Sequence, residues 1–270
     1  YTNNCNGMVK YEPLFKNMTH YPPGTNLVYL THPYYMHRES VSLAMFNDHR
    51  FAFYFWALWA KEHQTSIDLV TLDWHQDLAY PEDCQKEELK ALNIDNTFET
   101  SFYAWARLST LNDDHIVAAM YKNIIGNVYV ICKQNMDRST HDERIIDMYG
   151  NIHVIKKFTT TSEAYGYLIK TKIDKVFFDI DLDFFTIENL STNCTQKTTF
   201  VKETEIKHTI DSQSKFMWWI LQRIKGFTIA FEPKFTGGYT KSMRLFSIIE
   251  KTLFTGSVFR NTTTWQHLKK

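Results

Sequence analysis

The chain has 270 residues, of which 44% are hydrophobic and 16% aromatic, and its 30 basic and 30 acidic residues cancel to a formal net charge of zero. A sizeable core is available, and length alone allows one large α/β domain or two small ones. The balanced charge offers no field for nucleic acid or a membrane surface, and the most apolar stretch, 51–60, is about half of the roughly 20 residues that a membrane span needs.

In chain order, apolar and β-branched runs predict strands over 26–32, 67–73, 127–133, 152–157, 175–181 and 227–233. Between them, helical patterns cover 50–62, 114–122, 162–172, 204–225 and 240–254. With 9 Gly and 6 Pro there is no evident linker and no repeat, so 1–270 reads as one domain with 1–25 as an N-terminal extension. Strands alternating with helices imply a three-layer αβα domain with a mostly parallel sheet. Ligands of such sheets bind beyond the carboxyl ends of the strands. Cys5, Cys84, Cys132 and Cys194 are scattered with no C-x-x-C pair. That favours a cytoplasmic protein with free thiols over a disulfide framework or a zinc ribbon. Sequons at Asn17 and Asn261 are what chance supplies in a chain rich in Asn and Thr.

Three of the strand patterns end in acidic residues. In "LVTLDWHQDLAYPED" (69–83), Asp73, His75 and Asp77 fall at every second position, and residues two apart share a face of an extended chain. "VFFDIDLDFF" repeats the device with Asp179, Asp181 and Asp183, and "IAFEP" brings Glu232. "FNDHRFAFYFW" places Asp48 and His49 just before a helix. A single Asp at a strand end is usually a cap or a turn residue. Crowded carboxylates leaving an apolar strand repel one another and lose solvation, and so demand a cation. Carboxylates with imidazoles and no thiolate suit manganese or another hard to borderline divalent ion.

"DWHQD" resembles the D-x-H-x-D motif of the arginase/agmatinase (ureohydrolase) superfamily, and "FDIDLD" resembles its second aspartate motif, S-F-D-x-D. "NDHR" is similar to its Gly-Asp-His loop, and "IAFEP" to its late strand ending in glutamate and proline. Order and spacing agree over about 47–254. The resemblance implies an arginase-like fold and two Mn2+. One ion would take His49, Asp73, Asp77 and Asp179, and the other Asp73, His75, Asp179 and Asp181, so that Asp73 and Asp179 bridge. Two ions ~3.5–4 Å apart can share and activate a water. Glu232 would pair with the planar guanidinium, urea would leave, and an amine would remain.

Arginases that act on free arginine follow D-x-H-x-D with a polar loop that carries a histidine proton shuttle. Here that region reads "LAYPEDCQKEELKALNID", without a histidine, and the Asn-Leu-His-Gly and Gly-Gly patterns are missing. The whole looks more like the peptide arginases of ribosomal peptide natural-product pathways, which convert peptidyl arginine to ornithine. The implied partner is an arginine-containing precursor peptide, with no nucleic acid and no membrane, and the oligomeric state stays open. His115 is the candidate shuttle, or else a surface histidine at a helix start. His32 and His37 are spare histidines near the same edge, and Asp183 sits behind the ligands or in a turn. "FTGGYTK" lacks the spacing of a phosphate loop and reads as a turn leading into a helix. The alternatives are a ureohydrolase of a free guanidino compound such as arginine or agmatine, and a zinc deacetylase-like amidohydrolase. The latter would need a tandem His-His pair, which the chain lacks. An aspartyl-nucleophile phosphatase would leave "DWHQD" unexplained, and a non-enzymatic peptide binder would leave six candidate ligands idle.

Overall fold

Strand β1 (Asn26–Thr31) runs against β2 (Ser40–Phe46), and a 3-10 turn (His49–Phe51) then leads into helix α1 (Ala52–His63). Next come β3 (Ile67–Leu72) and the helices α2 (Asp83–Ala91), α3 (Thr97–Ala106) and α4 (His115–Tyr121). They are followed by β4 (Ile125–Ile131), β5 (Glu143–Ile146), β6 (Ile152–Phe158), α5 (Thr161–Leu168) and β7 (Val176–Asp181). A second 3-10 turn (Leu182–Phe185) leads to a ribbon of β8 (Thr186–Ile187) with β9 (Thr199–Phe200). The last large elements are α6 (Glu203–Thr209), α7 (Lys215–Arg223), β10 (Ile224–Ala230), α8 (Pro233–Thr236) and α9 (Tyr239–Leu253). This structure, a computed structural model, describes residues 19–34, 40–134, 142–187, 199–260 and 263–268. His37, Cys5, Cys194, the sequon residues Asn17 and Asn261 and most of the expected N-terminal extension lie outside the described residues.

Eight strands form one sheet in the order β1-β2-β10-β7-β3-β4-β6-β5. The inner pairings from β2 through β6 are parallel, and only the edge strands β1 and β5 run antiparallel. Helices cover both faces. On one, Trp56 and Trp59 of α1 pack with Leu69 and Phe177. On the other, Phe216, Trp219 and Phe246 pack with Val70, Phe178 and Phe227. The three-layer, mostly parallel arrangement expected from the alternation is what the chain adopts. A strand covered on both faces loses the alternating pattern, which is why all six residues of β7, "VFFDID", are buried. Gly226 in β10 lets α1 lie close to the sheet, since a Cβ there would run into the Trp59 indole.

The expected helix over 204–225 is two helices, α6 and α7, and its last two residues open β10. The break is made by "DSQS": the Asp211 carboxylate accepts the Gln213 N–H and Ser214 caps α7 by accepting the Met217 N–H. That is turn and cap chemistry. Strands β2 and β5 and helices α2 and α3 were not expected. Among the described residues no helix is long and apolar enough to cross a membrane.

Because β2, β3, β7 and β10 run parallel, their carboxyl ends share one edge of the sheet. The backbone locks that edge together: Phe231 and Glu232 N–H donate to the Phe46 and Asn47 carbonyls, and Asp73 N–H donates to Ile131 O.

Candidate metal centre

Strand β3 stops at Leu72, so the spacing of Asp73, His75 and Asp77 does not act through an extended chain. The backbone turns instead. The Asp73 carboxylate accepts the His75 N–H at 2.7 Å, and Asp77 takes a left-handed conformation with φ 50°. The turn gathers the three side chains at the end of the strand. On β7, Asp179 and Asp181 do share a strand face, and the chain then coils so that Asp181 accepts the Asp183 N–H at 2.9 Å. Asp183 in turn accepts the Trp74 N–H at 3.1 Å, tying the two acidic segments to each other. His49 arrives from the 3-10 turn after β2.

These elements bring the donors into contact. His49 Nδ1 lies 3.2 Å from Asp77 Oδ2, 3.2 Å from Asp181 Oδ2 and 3.4 Å from Asp73 Oδ2. His75 Nδ1 lies 2.9 Å from Asp183 Oδ2 and 3.9 Å from Asp73 Oδ1. Among the described residues, three sets have ligand atoms all within 4.8 Å of one another: His49, Asp73, Asp77 and Asp181; Asp73, His75 and Asp183; and His49, Asp77 and His115. The first two share Asp73.

Two residues stand elsewhere than the resemblance implies. Asp179, expected as a bridging ligand, belongs to none of these sets. It precedes Asp181 by two residues on β7, roughly 6–7 Å deeper in the sheet at about 3.3 Å per residue. Its oxygens are taken by Thr71, Thr228 and His49 Nε2. Asp183, expected behind the ligands or in a turn, joins Asp73 and His75 instead. The period-two run Asp179-Asp181-Asp183 offers two registers for a ligand pair, and only the place where β7 ends selects between them.

His115 is not a surface histidine. It is fully buried at the start of α4, stacked on Trp56 with 5.6 Å between ring centroids and 4.3 Å from the His49 ring. Its Nδ1 lies 3.0 Å from Asn112 O, and a carbonyl only accepts, so Nδ1 carries the proton. Nε2 is then a lone pair, buried with no hydrogen-bond partner among the described residues. Burial, followed by the neighbouring His49 charge, holds its pKa well below that of an ordinary histidine.

Glu232 follows β10 in a left-handed conformation, φ 40° and ψ 61°, with Pro233 opening α8 behind it. A buried non-glycine residue in that region is strained and is held there by its surroundings. Its Oε1 accepts from His49 N–H at 2.5 Å and from Asn112 Nδ2 at 2.6 Å. Oε2 is buried and has no hydrogen-bond partner among the described residues. Burial pushes this carboxyl up to about 7, against the pull of His49. Asn112 escaped the sequence reading. Buried and left-handed at φ 62°, it holds Glu232 by its side chain and His115 by its carbonyl. The one signal was the polar run "NDDH" ahead of a helix, since Asn tolerates the left-handed region.

His32, by contrast, accepts the Tyr34 N–H at 3.0 Å and lies in none of the three ligand sets.

The electrostatics ask for a cation. Burial raises the pKa of Asp77 and Asp181 well above the usual carboxylate range, and the nearby Asp73 and Asp183 charges add to it. Asp73 is raised as well, again mainly by burial. His75 is pushed up to about 9, because the Asp183 hydrogen bond and charge outweigh its burial. Four carboxylates and two imidazoles in a desolvated pocket can be neutralised by protons or by divalent ions. The donor set of oxygens and imidazole nitrogens without thiolate fits a hard to borderline divalent ion. So does Asp73 Oδ2, buried without a hydrogen-bond partner among the described residues.

No protein-family model matches the sequence, and no curated protein matches it. Solved structures do align with it. A proclavaminate amidino hydrolase from Streptomyces clavuligerus shares 9% identity at TM-score 0.42, over 81% of this chain and 63% of that one. A formimidoylglutamase from Bacillus subtilis shares 13% at 0.38, over 77% and 60%. The Helicobacter pylori arginase shares 13% at 0.35, over 73% and 68%. The chain thus spans less than two thirds of the first two proteins. Likeness of this grade decides neither family nor activity, which leaves the geometry of the cluster to carry the functional reading.

Proposed function

We propose that the chain is a binuclear metal-dependent hydrolase that removes the amidino group of arginine within a peptide, giving ornithine and urea. The observation that carries this is the set His49, Asp73, His75, Asp77, Asp181 and Asp183, buried except for the half-buried His75 and Asp77, with a glutamate oxygen that has no hydrogen-bond partner among the described residues. Asp73 belongs to two of the ligand sets and suits a bridging position. Two divalent ions there, Mn2+ by preference, would supply an activated water.

The remaining groups have separate tasks. Glu232 Oε2 is an unused acceptor on an immobilised carboxylate, matched to an N–H of the guanidinium. It must be ionised for that, and a cationic partner favours the ionised form. His115 is a neutral imidazole with an Nε2 that has no hydrogen-bond partner among the described residues and a ring beside that of His49, suited to accept a proton there and hand it to the leaving amine. The ring of Phe235 lies edge-on to His75 and is 38% exposed, so an apolar surface borders the centre.

The segment after Asp77 favours peptidyl arginine over free arginine. A free amino acid brings an ammonium and a carboxylate that a specific site must pair. Here the irregular stretch 78–82, which holds no basic residue, leads into α2, whose Lys86 and Lys90 pair within the helix with Asp83 and Glu87. The test is mass spectrometry of arginine-containing peptides incubated with the manganese-loaded protein. A loss of about 42 Da per arginine, dependent on metal, is the expected product mass when guanidine becomes amine. Peptides left unchanged while free arginine yields urea would refute the substrate assignment.

A further inference from the structure

Asp179 is a fully buried carboxylate in the middle of an apolar strand. It stands in register with Thr71 of β3 and Thr228 of β10, so that the three residues form one row across the sheet. Thr228 Oγ1 donates to Oδ1 at 2.5 Å and Thr71 Oγ1 donates to Oδ2 at 2.7 Å. Among the described residues the only other partner is His49 Nε2, at 2.9 Å from Oδ2. Burying a carboxylate is costly unless it is hydrogen-bonded, and three donors here meet that need.

We propose that Asp179 is a positioning residue for His49: it holds the ring with its proton on Nε2, turning the Nδ1 lone pair onto the cation held with Asp73, Asp77 and Asp181. This rests on the metal-centre reading above. A carboxylate only accepts, so the nitrogen facing it must carry the hydrogen. A neutral imidazole has one N–H, and the other nitrogen is then the ligand. That nitrogen faces three carboxylate oxygens at 3.2–3.4 Å. Without a cation Nδ1 would carry a second proton toward those acceptors; a cation displaces that proton, and the lone pair then completes a coordination set. A carboxylate behind a ligating histidine fixes the tautomer and raises basicity, and removing such a partner weakens metal binding about 10–100-fold. Thr71 and Thr228 extend the arrangement one step further back, since they fix the carboxylate that fixes the ring. The same contacts argue against Asp179 as a ligand, because both of its oxygens are already engaged.

The test uses the full chain with Asp179→Ala, Asp179→Asn, Thr71→Val and, for comparison, Asp181→Ala. Metal per chain is measured at saturating Mn2+, affinity by calorimetric titration, and the His49 tautomer by nitrogen-15 NMR of the Zn2+-loaded protein. Asp179→Ala should keep the wild-type number of ions, bind them about 10–100-fold more weakly and lose the Nε2–H signature. Asp179→Asn still offers one acceptor to His49 and should fall between. Thr71→Val, which leaves every ligand in place, should show the smaller loss in the same direction and keeps the test valid if Asp179→Ala does not fold. Asp181→Ala should lose an ion outright. Loss of an ion at saturation in either Asp179 variant would make Asp179 a ligand and overturn the proposal, as would wild-type affinity and tautomer in Asp179→Ala. A wild-type protein that takes up no metal would overturn the metal centre itself, and this inference with it.

Discussion

Glu232 illustrates how single residues divide the work at this centre. One oxygen holds the site together, on His49 N–H and Asn112 Nδ2, and the other has no hydrogen-bond partner among the described residues, which suits the ligand role proposed for it. Glu232→Gln keeps the shape and removes the charge, so turnover should fall by about 100-fold or more while metal content stays at the wild-type level. Retained activity would remove Glu232 from the guanidinium. Asn112→Gly tests the tether. Glycine accepts the left-handed backbone, and the Asn112 carbonyl that holds His115 remains. Losing a hydrogen bond to a charged group is worth about 1.5–3 kcal/mol, so kcat should drop roughly ten- to a hundredfold with metal retained. Beside it, the buried Asp114 carboxyl is pushed up to about 6 by desolvation, against about 3.9 in an unfolded chain. The folded protein therefore holds that proton between about pH 4 and 6. The stability it contributes is present at lower pH and lost as pH rises through about 6. In metal-free protein, Asp114→Asn should melt like the wild type near pH 4 and higher than it near pH 8, by at most about 3 kcal/mol. An unchanged pH slope would contradict the assignment.

At the scale of elements, what was legible depended on whether the signal is local. The strands β1, β3, β4, β6, β7 and β10 and helix α1 announce themselves by long apolar runs. Strand β2, "SVSLAMF", is buried almost throughout, and a short run of that kind does not separate strand from helix by periodicity. Helix α2 is hidden by its polarity, though its capping box between Glu82 and Gln85 is written in "PEDCQ". That His49, Asp73, His75, Asp77 and Asp181 would gather was legible because their spacing is chemical, but the register of the β7 aspartates was not, since it depends on where the strand gives way to a 3-10 turn. Asn112 was missed, and the full burial of the candidate His115 with it, because both come from tertiary contacts with Glu232 and His49 at which the local run "NDDH" only hints. The element packing gives its own prediction. Gly226→Ala sets a methyl group against the Trp59 ring and must shift α1, which should cost about 1–3 kcal/mol in denaturant unfolding. A neutral substitution would mean that α1 is not seated as described.

For the whole molecule, the proposed metal centre would join stability to metal. Its residues come from the ends of β3 and β7 and from the turn after β2, which an unfolded chain does not keep together. An ion that binds only the folded state stabilises it by about 2.7 kcal/mol at a hundred times its Kd. Chelation should accordingly lower the melting temperature. Metal affinity should also weaken as pH falls, because protons compete for the same carboxylates and imidazoles. The most direct measurement is elemental analysis of the full chain after loading with Mn2+ and removal of free metal. Two ions per chain are expected, falling to one or none in Asp73→Asn because that residue serves both ligand sets. A wild-type protein that retains no divalent ion, or an Asp73→Asn variant that retains the full complement, would contradict the account.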